Sequence, residues 1–161
     1  MMTLLILLLL IIGPFLLLSL AGWWIPKTKL TPAMRARVGL SLFFTFTASG
    51  HFIQAEAMSA MLPPAIPYRM GIIHFTGLLE VLGAIGVWLP RMMRFTGFCL
   101  MLMLVVFLLA NIYSAMYRVD FGGHGSGPAY LLLRIPFQCL VIGWVYYATE
   151  QQWFVRRSRA A

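Results

Sequence analysis

Charge is scarce in this chain: 10% of its 161 residues are charged, while 61% are hydrophobic. An average globular domain is about 25% charged and about 45–50% apolar. So little charge excludes a water-soluble surface, because a domain of this size exposes too much area for so few polar side chains to cover. Acid is scarcer still, with 4 Asp or Glu against 12 Lys or Arg and a net charge of +8. In a soluble protein that imbalance points to nucleic acid. In a bilayer its first use is to set orientation. Cysteine is nearly missing: Cys99 and Cys139 lie far apart in apolar runs and make no CxxC pair, which argues against a disulfide framework and a dithiol redox centre. Internal repeats and linkers are missing too, so the chain reads as one membrane unit.

What the chain has instead is long apolar runs. A membrane helix needs about 20 mostly apolar residues, and five segments qualify, at about Thr3–Gly22, Val38–Ala60, Met70–Leu89, Phe95–Tyr117 and Pro128–Ala148. Prolines mark the breaks at Pro26 and Pro32, at Pro63, Pro64 and Pro67, at Pro90 and at Pro128. Aromatic residues at the proposed ends, among them Trp23, Trp24, Tyr68, Trp88, Tyr117 and Tyr130, suit the headgroup region. The expectation is an all-α integral membrane bundle of five transmembrane helices. It divides into an N-terminal helix (1–26), a four-helix core (36–150) and a basic cytoplasmic tail (151–161).

The basic residues alternate with the loops. Lys27, Lys29, Arg35, Arg37, Arg91, Arg94, Arg156, Arg157 and Arg159 fall on one side, and only Arg69 and Arg118 on the other. The positive-inside rule then places the N-terminus outside and the C-terminus in the cytoplasm. Ser19-Leu20-Ala21 resembles a signal-peptide cleavage site. The first segment nevertheless lacks a basic n-region, its apolar run is long, and cleavage would export the Lys27–Arg37 cluster. It is read as an anchor, with Gly13-Pro14 expected to kink it.

Ionisable residues inside spans are costly, at about 2.5–3.5 kcal/mol for Arg, Lys or Asp at a helix centre. The second segment holds His51, Gln54 and Glu56; the third, His74 and Glu80; the fourth, Asn111 and Ser114; the fifth, Arg134 and Gln138. With a rise of about 1.5 Å per residue, Gln54, Glu56, His74, Asn111 and Arg134 lie about 6–9 Å from the outer ends. His51, Glu80 and Gln138 lie about 15 Å deep. Four antiparallel segments thus deliver polar groups to one layer, the outer half of the bilayer. Helical spacing puts His51 with Gln54, Asn111 with Ser114 and Arg134 with Gln138 on shared faces. Glu56 lies about 140° around its helix from His51, and His74 about 120° from Glu80, so neither pair points at one centre. Gly77, Glu80 and Gly83 form a small-residue stripe suited to close packing.

Two readings compete for this layer. In the first, Arg134 needs a carboxylate partner that Glu56 or Glu80 supplies, with Asn111 and Gln138 as interhelical glue of about 1 kcal/mol or less. Alternatively, carboxylates, imidazoles and a guanidinium form a titratable site that relays protons or orients a polar head group. The outer loop Val119–Gly127, VDFGGHGSG, holds four glycines and His124 and is expected to be a mobile lid. No two of His51, His74 and His124 share a helix at ligand spacing, which argues against a metal. The 11 Met and 12 Phe read as packing rather than a haem box. Gly123-His124-Gly125-Ser126-Gly127 lacks the strand-to-helix context of a nucleophile elbow.

The same residues carry a family resemblance. Gly50-His51-Phe52, Met61-Leu62-Pro63-Pro64 with Pro67, Gly77-Leu78-Leu79-Glu80 with Gly83, Pro90, Asn111-Ile112 and Leu133-Arg134-Ile135-Pro136-Phe137-Gln138 resemble the DoxX-like family of small bacterial membrane proteins over roughly residues 36–148. The resemblance implies a four-helix bundle in the bacterial inner membrane. The name-giving relatives are associated with a membrane-bound thiosulfate:quinone oxidoreductase as a small subunit, and distant relatives look like assembly chaperones. Glu56 is not among the matching residues, and the first segment lies outside them.

The resulting expectation is a bundle that binds a small amphipathic, quinone- or lipid-like molecule as a redox-accessory protein. The expected binding residues are His51, Glu56, Glu80, Asn111, Arg134 and Gln138, with His124 on the lid. The competing expectation is a scaffold or chaperone for other membrane proteins, or a homo-oligomer, with a purely structural polar cluster. Transport would need inverted repeats or paired broken helices, and neither is visible.

Overall fold

The computed structural model describes residues 2–24 and 30–158, with side chains placed to residue 150. Six α-helices and one 3-10 helix follow in order: α1 (Met2–Trp24), α2 (Pro32–Ile53), α3 (Ala55–Ser59), α4 (Arg69–Gly86), α5 (Met93–Met116), the 3-10 helix (His124–Tyr130) and α6 (Leu131–Ser158). Among the described residues there is no strand. Among the described residues, four helices are long and apolar enough to cross a membrane, as a multi-pass protein requires: Thr3–Gly22, Arg69–Gly86, Met93–Met116 and His124–Glu150.

The second proposed span differs from expectation at both ends. It begins earlier, at Pro32, where Thr31 caps the helix by accepting from the Met34 amide, and it breaks at Gln54. The last six residues assigned to it turn into the short α3 and the loop that follows. α2 also lacks the apolar density of the other long helices, and its position explains why. It packs against α1, α4 and α6, so much of its surface meets protein rather than lipid. Leu40 and Phe44 are completely enclosed.

α1 is the opposite case. Only 11% of its Thr3–Gly22 span is buried, through Leu7 and Ile11 set against α2. α1 runs as one helix through Pro14. Phe15 meets Trp144 of α6 edge to face, at 5.4 Å between centroids.

The long helices run up and down, so their ends gather in two layers. At one end, backbone carbonyls and short side chains tie α2 to its neighbours. Arg37 Nε donates to Ala148 O at 2.9 Å, Ser41 Oγ to Ala84 O at 2.9 Å, and Trp88 Nε1 to Ser41 Oγ at 2.8 Å. Trp88 therefore anchors a helix contact as well as standing at a span end. Arg94 pairs with Glu150 at 3.1 Å. Lys27, Lys29 and Arg159 of the basic clusters lie outside the described residues, as do the side chains of Trp23, Trp24, Arg156 and Arg157. The helix that carries the fifth proposed span continues past Ala148, its backbone helical through Ser158, while the apolar stretch ends at Glu150.

A core of apolar side chains fills the middle, from Leu7 and Ile11 on α1 to Val141 and Val145 on α6. Beyond it, the other layer opens into a cavity.

Candidate functional site

The cavity has a volume of about 870 Å³. Ligand pockets fall in the range of about 300–1,000 Å³. Its walls come from the N-terminal turns of α1, the C-terminal half of α2, the loop after α3, the start of α4, the end of α5, the segment around the 3-10 helix, and the first turn of α6. Leu4, Leu7, Phe46, Met58, Leu62 and Val106 give it an apolar body. Its polar side chains, among them His51, Glu80, Asn111, His124 and Arg134, come from several different elements.

His51 and Glu80 face each other across the seam between α2 and α4. Gly77 makes that approach possible, since a Cβ there would lie 2.6 Å from the His51 Cβ. The His51 Nδ1 lies 2.9 Å from Ile73 O and 3.0 Å from Thr76 Oγ1, while the Thr76 hydroxyl donates to Ile73 O at 2.9 Å. A carbonyl only accepts, so Nδ1 carries the proton. The ring stacks on Phe107 of α5 at 5.7 Å, and Nε2 points to Glu80 Oε2 at 3.7 Å. Glu80 is 2% exposed, with Thr47 of α2 as a polar neighbour of its carboxyl.

Arg134 stands in the first turn of α6 with its Nε enclosed and without a hydrogen-bond partner. Tyr130 and Glu80 are its electrostatic neighbours, and its guanidinium lies 5.7 Å from the Phe137 ring. Among the described residues no carboxylate forms an ion pair with it. The polar set is therefore not closed into one salt bridge.

The segment over the cavity is pinned rather than loose. His124 is 2% exposed; its Nδ1 donates to Phe121 O at 2.6 Å, and its Nε2 bonds the Asn111 carboxamide, Nε2 to Oδ1 at 2.9 Å. Tyr130 packs on the His124 ring at 4.5 Å. Gly123, at φ 100°, and Gly127, at φ 71° and ψ −153°, make the turns that a side chain would strain.

The sequence model of one family matches residues 40–149, under the description "Domain of unknown function (DUF8561)". The chain belongs to the DUF8561 family. No curated protein and no solved structure matches it.

The DUF8561 region contains every polar residue of the cavity between α2 and α6, whereas α1 lies outside it although α1 lines the same space. Of the residues chosen by depth, His51, Gln54, Glu80, Asn111 and Arg134 line the cavity together, and so does His124. Gln138 does not line it. It is 1% exposed, lies one helical turn beyond Arg134 and donates from Nε2 to Leu104 O at 2.7 Å, a tie between α5 and α6. Glu56 stands exposed on α3 outside the cavity, beside a shallow surface pocket to which Gln54 and Phe121 also contribute. His74 is exposed as well and stacks on Phe52 at 5.8 Å.

Three contributors escaped the sequence reading. Thr47 and Thr76 are ordinary hydroxyl residues in apolar helices, with no local signal to single them out. Tyr130 reads as an interfacial aromatic, yet the 3-10 helix turns it inward, where it is buried against His124 and Arg134. Among the described residues, no group of three His, Cys, Asp or Glu side chains comes together as a metal site would need.

Proposed function

We propose that this DUF8561 protein binds a small amphipathic molecule, quinone- or lipid-like, in the cavity at the α2–α6 end of the bundle. One observation carries the reading: the polar side chains of His51, Glu80, Asn111, His124 and Arg134, from five elements, open onto a mostly apolar space of about 870 Å³ instead of closing into one salt bridge. His51 and Glu80 would exchange hydrogen bonds or a proton with the polar head. Arg134 would hold negative charge on it, Asn111 would orient it through His124, and the pinned 3-10 segment would cover it. The apolar wall supplied by α1 and by the loop after α3 would take the tail.

In this proposal the cavity lies in the outer half of a bacterial inner membrane, with the N-terminus outside, because the basic residues crowd the opposite end. The DoxX-like motifs add the expectation of a redox-accessory role beside a quinone-linked oxidoreductase, with the chain itself as a binding subunit. The test is solvent extraction and mass spectrometry of the purified chain, beside a His51→Ala, Glu80→Ala double variant. A small molecule recovered from the wild type and lost from the variant supports the site. Recovery of nothing from the wild type, or of the same molecule from both, refutes it.

A scaffold or chaperone role is the second reading, and the placement of α1 favours it. That helix lies outside the family region and shows most of its surface. One dominant membrane partner in a crosslinking pull-down, lost on deletion of α1, would establish it.

A further inference from the structure

We infer that the head group taken by this cavity is anionic, a carboxylate or a phosphate monoester on an apolar tail, with Arg134 as its principal partner. The inference rests on the ligand-binding reading above and narrows it. It follows from counting charge in the cavity wall. The His51 Nδ1 gives its proton to Ile73 O, so an unprotonated Nε2 would present a lone pair to the Glu80 Oε2 lone pairs at 3.7 Å. That arrangement is repulsive, and a proton between the two atoms removes the repulsion. Whichever of them holds the proton, the His51–Glu80 pair is then neutral as a unit.

The remaining ionisable groups do not balance Arg134. His124 is either neutral or positive, and both its ring nitrogens already face oxygens. Tyr130 is a phenol. Glu56 and Asp120, the nearest other acids along the chain, are exposed and do not line the cavity. α1 contributes no ionisable group to the wall, and α5 contributes only the Tyr113 phenol. The cavity therefore holds one uncompensated guanidinium, with Nε enclosed and unbonded. Arg134 is half-buried, and a charge partly withdrawn from water is disfavoured unless it is paired. A guanidinium presents a planar fork of donors that fits carboxylate or phosphate oxygens.

The apolar body of the same cavity selects the rest of the ligand. Leu4, Leu7, Phe46, Met58 and Leu62 make an apolar surface that suits a hydrocarbon tail behind the polar head. Simple inorganic anions would leave that body unfilled.

The experiment uses the full chain in a neutral maltoside detergent. Binding is read by native mass spectrometry and by the shift of thermal unfolding, with four probes: hexadecanoate, hexadecyl phosphate, hexadecanol and a decyl-substituted benzoquinone. The expected result is that at least one anionic probe binds about tenfold or more tightly than hexadecanol and the quinone, as a charge-assisted hydrogen bond requires. The stronger of the two anions identifies the head as carboxylate or phosphate. Arg134→Gln should abolish the preference while still binding hexadecanol, and Arg134→Lys should keep part of it. Should Arg134→Gln fail to fold, the wild-type ratio and the Lys variant decide. Equal binding of anionic and neutral probes to the wild type would overturn the anionic head and leave the cavity reading standing. Binding of none of the four would overturn both.

Discussion

The Nε2 of His51 and the Oε2 of Glu80 lie 3.7 Å apart across the α2–α4 seam, at a level where Gly77 removes the side chain that would hold the two helices apart. The cavity's chemistry thus depends on a packing feature. The Glu80 carboxyl can sit 2% exposed in a membrane bundle because an imidazole, oriented by Ile73 O and Thr76, is delivered to it.

That dependence makes Gly77 a sensitive position. Gly77→Ala puts a Cβ against the His51 Cβ, an atom fixed to the α2 backbone rather than the tip of a flexible chain. The seam must open, and we expect a loss of about 1–3 kcal/mol, the usual cost of overpacking. Gly143→Ala on α6 meets nothing within 4 Å and should be neutral or stabilise by up to about 1 kcal/mol through helix propensity. Unfolding of both variants in mixed micelles with a denaturing detergent measures the contrast. Equal effects would show that close approach at Gly77 is unimportant.

The segment over the cavity is held chiefly through His124. Its contact with Asn111 spans 2.9 Å inside the bundle, so the pair should show a coupling of about 1 kcal/mol in a double-mutant cycle of Asn111→Ala and His124→Ala. Loss of the contact should also free the turns around Gly123 and Gly127. Amide hydrogen exchange over residues 119–130 is expected to quicken in either single variant, with little change in α5 below Phe107. Additive stabilities and unchanged exchange would mean that the contact holds nothing in place.

Much of this arrangement was legible in the sequence, for definite reasons. Span existence follows from apolar runs that lipid demands along the whole length of a helix, which is why α1, α4, α5 and α6 stand where expected. Depth follows from the constant rise per residue, which brought His51, Glu80, Asn111 and Arg134 to one level. Azimuth is harder, because it depends on which neighbours a helix has. Glu56 shares the right depth but sits on α3, after a break at Gln54 that no glycine or proline announces. Gln138 points inward as expected, yet Leu104 O occupies its amide. The inward turn of Tyr130 depends on a 3-10 helix whose glycine-rich sequence suggests a mobile loop. Sequence alone also leaves open whether Arg134 would be answered by a carboxylate, since that is a matter of distances.

Orientation can be tested without any ligand. The native cysteines are both exposed on apolar helix surfaces, and Cys99→Ala, Cys139→Ala removes their background. In that parent, Ser126→Cys marks the cavity end and Arg91→Cys the basic end. We expect a membrane-impermeant maleimide added to whole cells or spheroplasts to label position 126 and spare position 91 until the membrane is permeabilised. Labelling in the reverse order would place the cavity in the cytoplasmic half and invert the proposed topology.

The last prediction concerns α1, which lines the cavity while lying outside the family region. Its seat on α2 is Gly39, where any Cβ would collide with the backbone of Ile11. Backbone cannot rotate aside as a side-chain tip can, so Gly39→Val must displace the helix. Displacement would expose Leu40 and Phe44, which are now fully enclosed, and would remove Leu4 and Leu7 from the cavity wall. In a bilayer the newly exposed apolar surface costs little, because lipid covers it as well as α1 does. The four-helix remainder should therefore keep its thermal transition within a few degrees while losing the wall that would take a ligand's tail. Two measurements separate these effects. A cysteine pair introduced at Leu8 and Leu42 should crosslink in the parent and far less with Gly39→Val. Retention of hexadecanol or hexadecanoate should fall at least about fivefold in the same variant. Intact crosslinking would mean that α1 tolerates the added side chain, whereas lost crosslinking with undiminished binding would assign the cavity to α2–α6 alone.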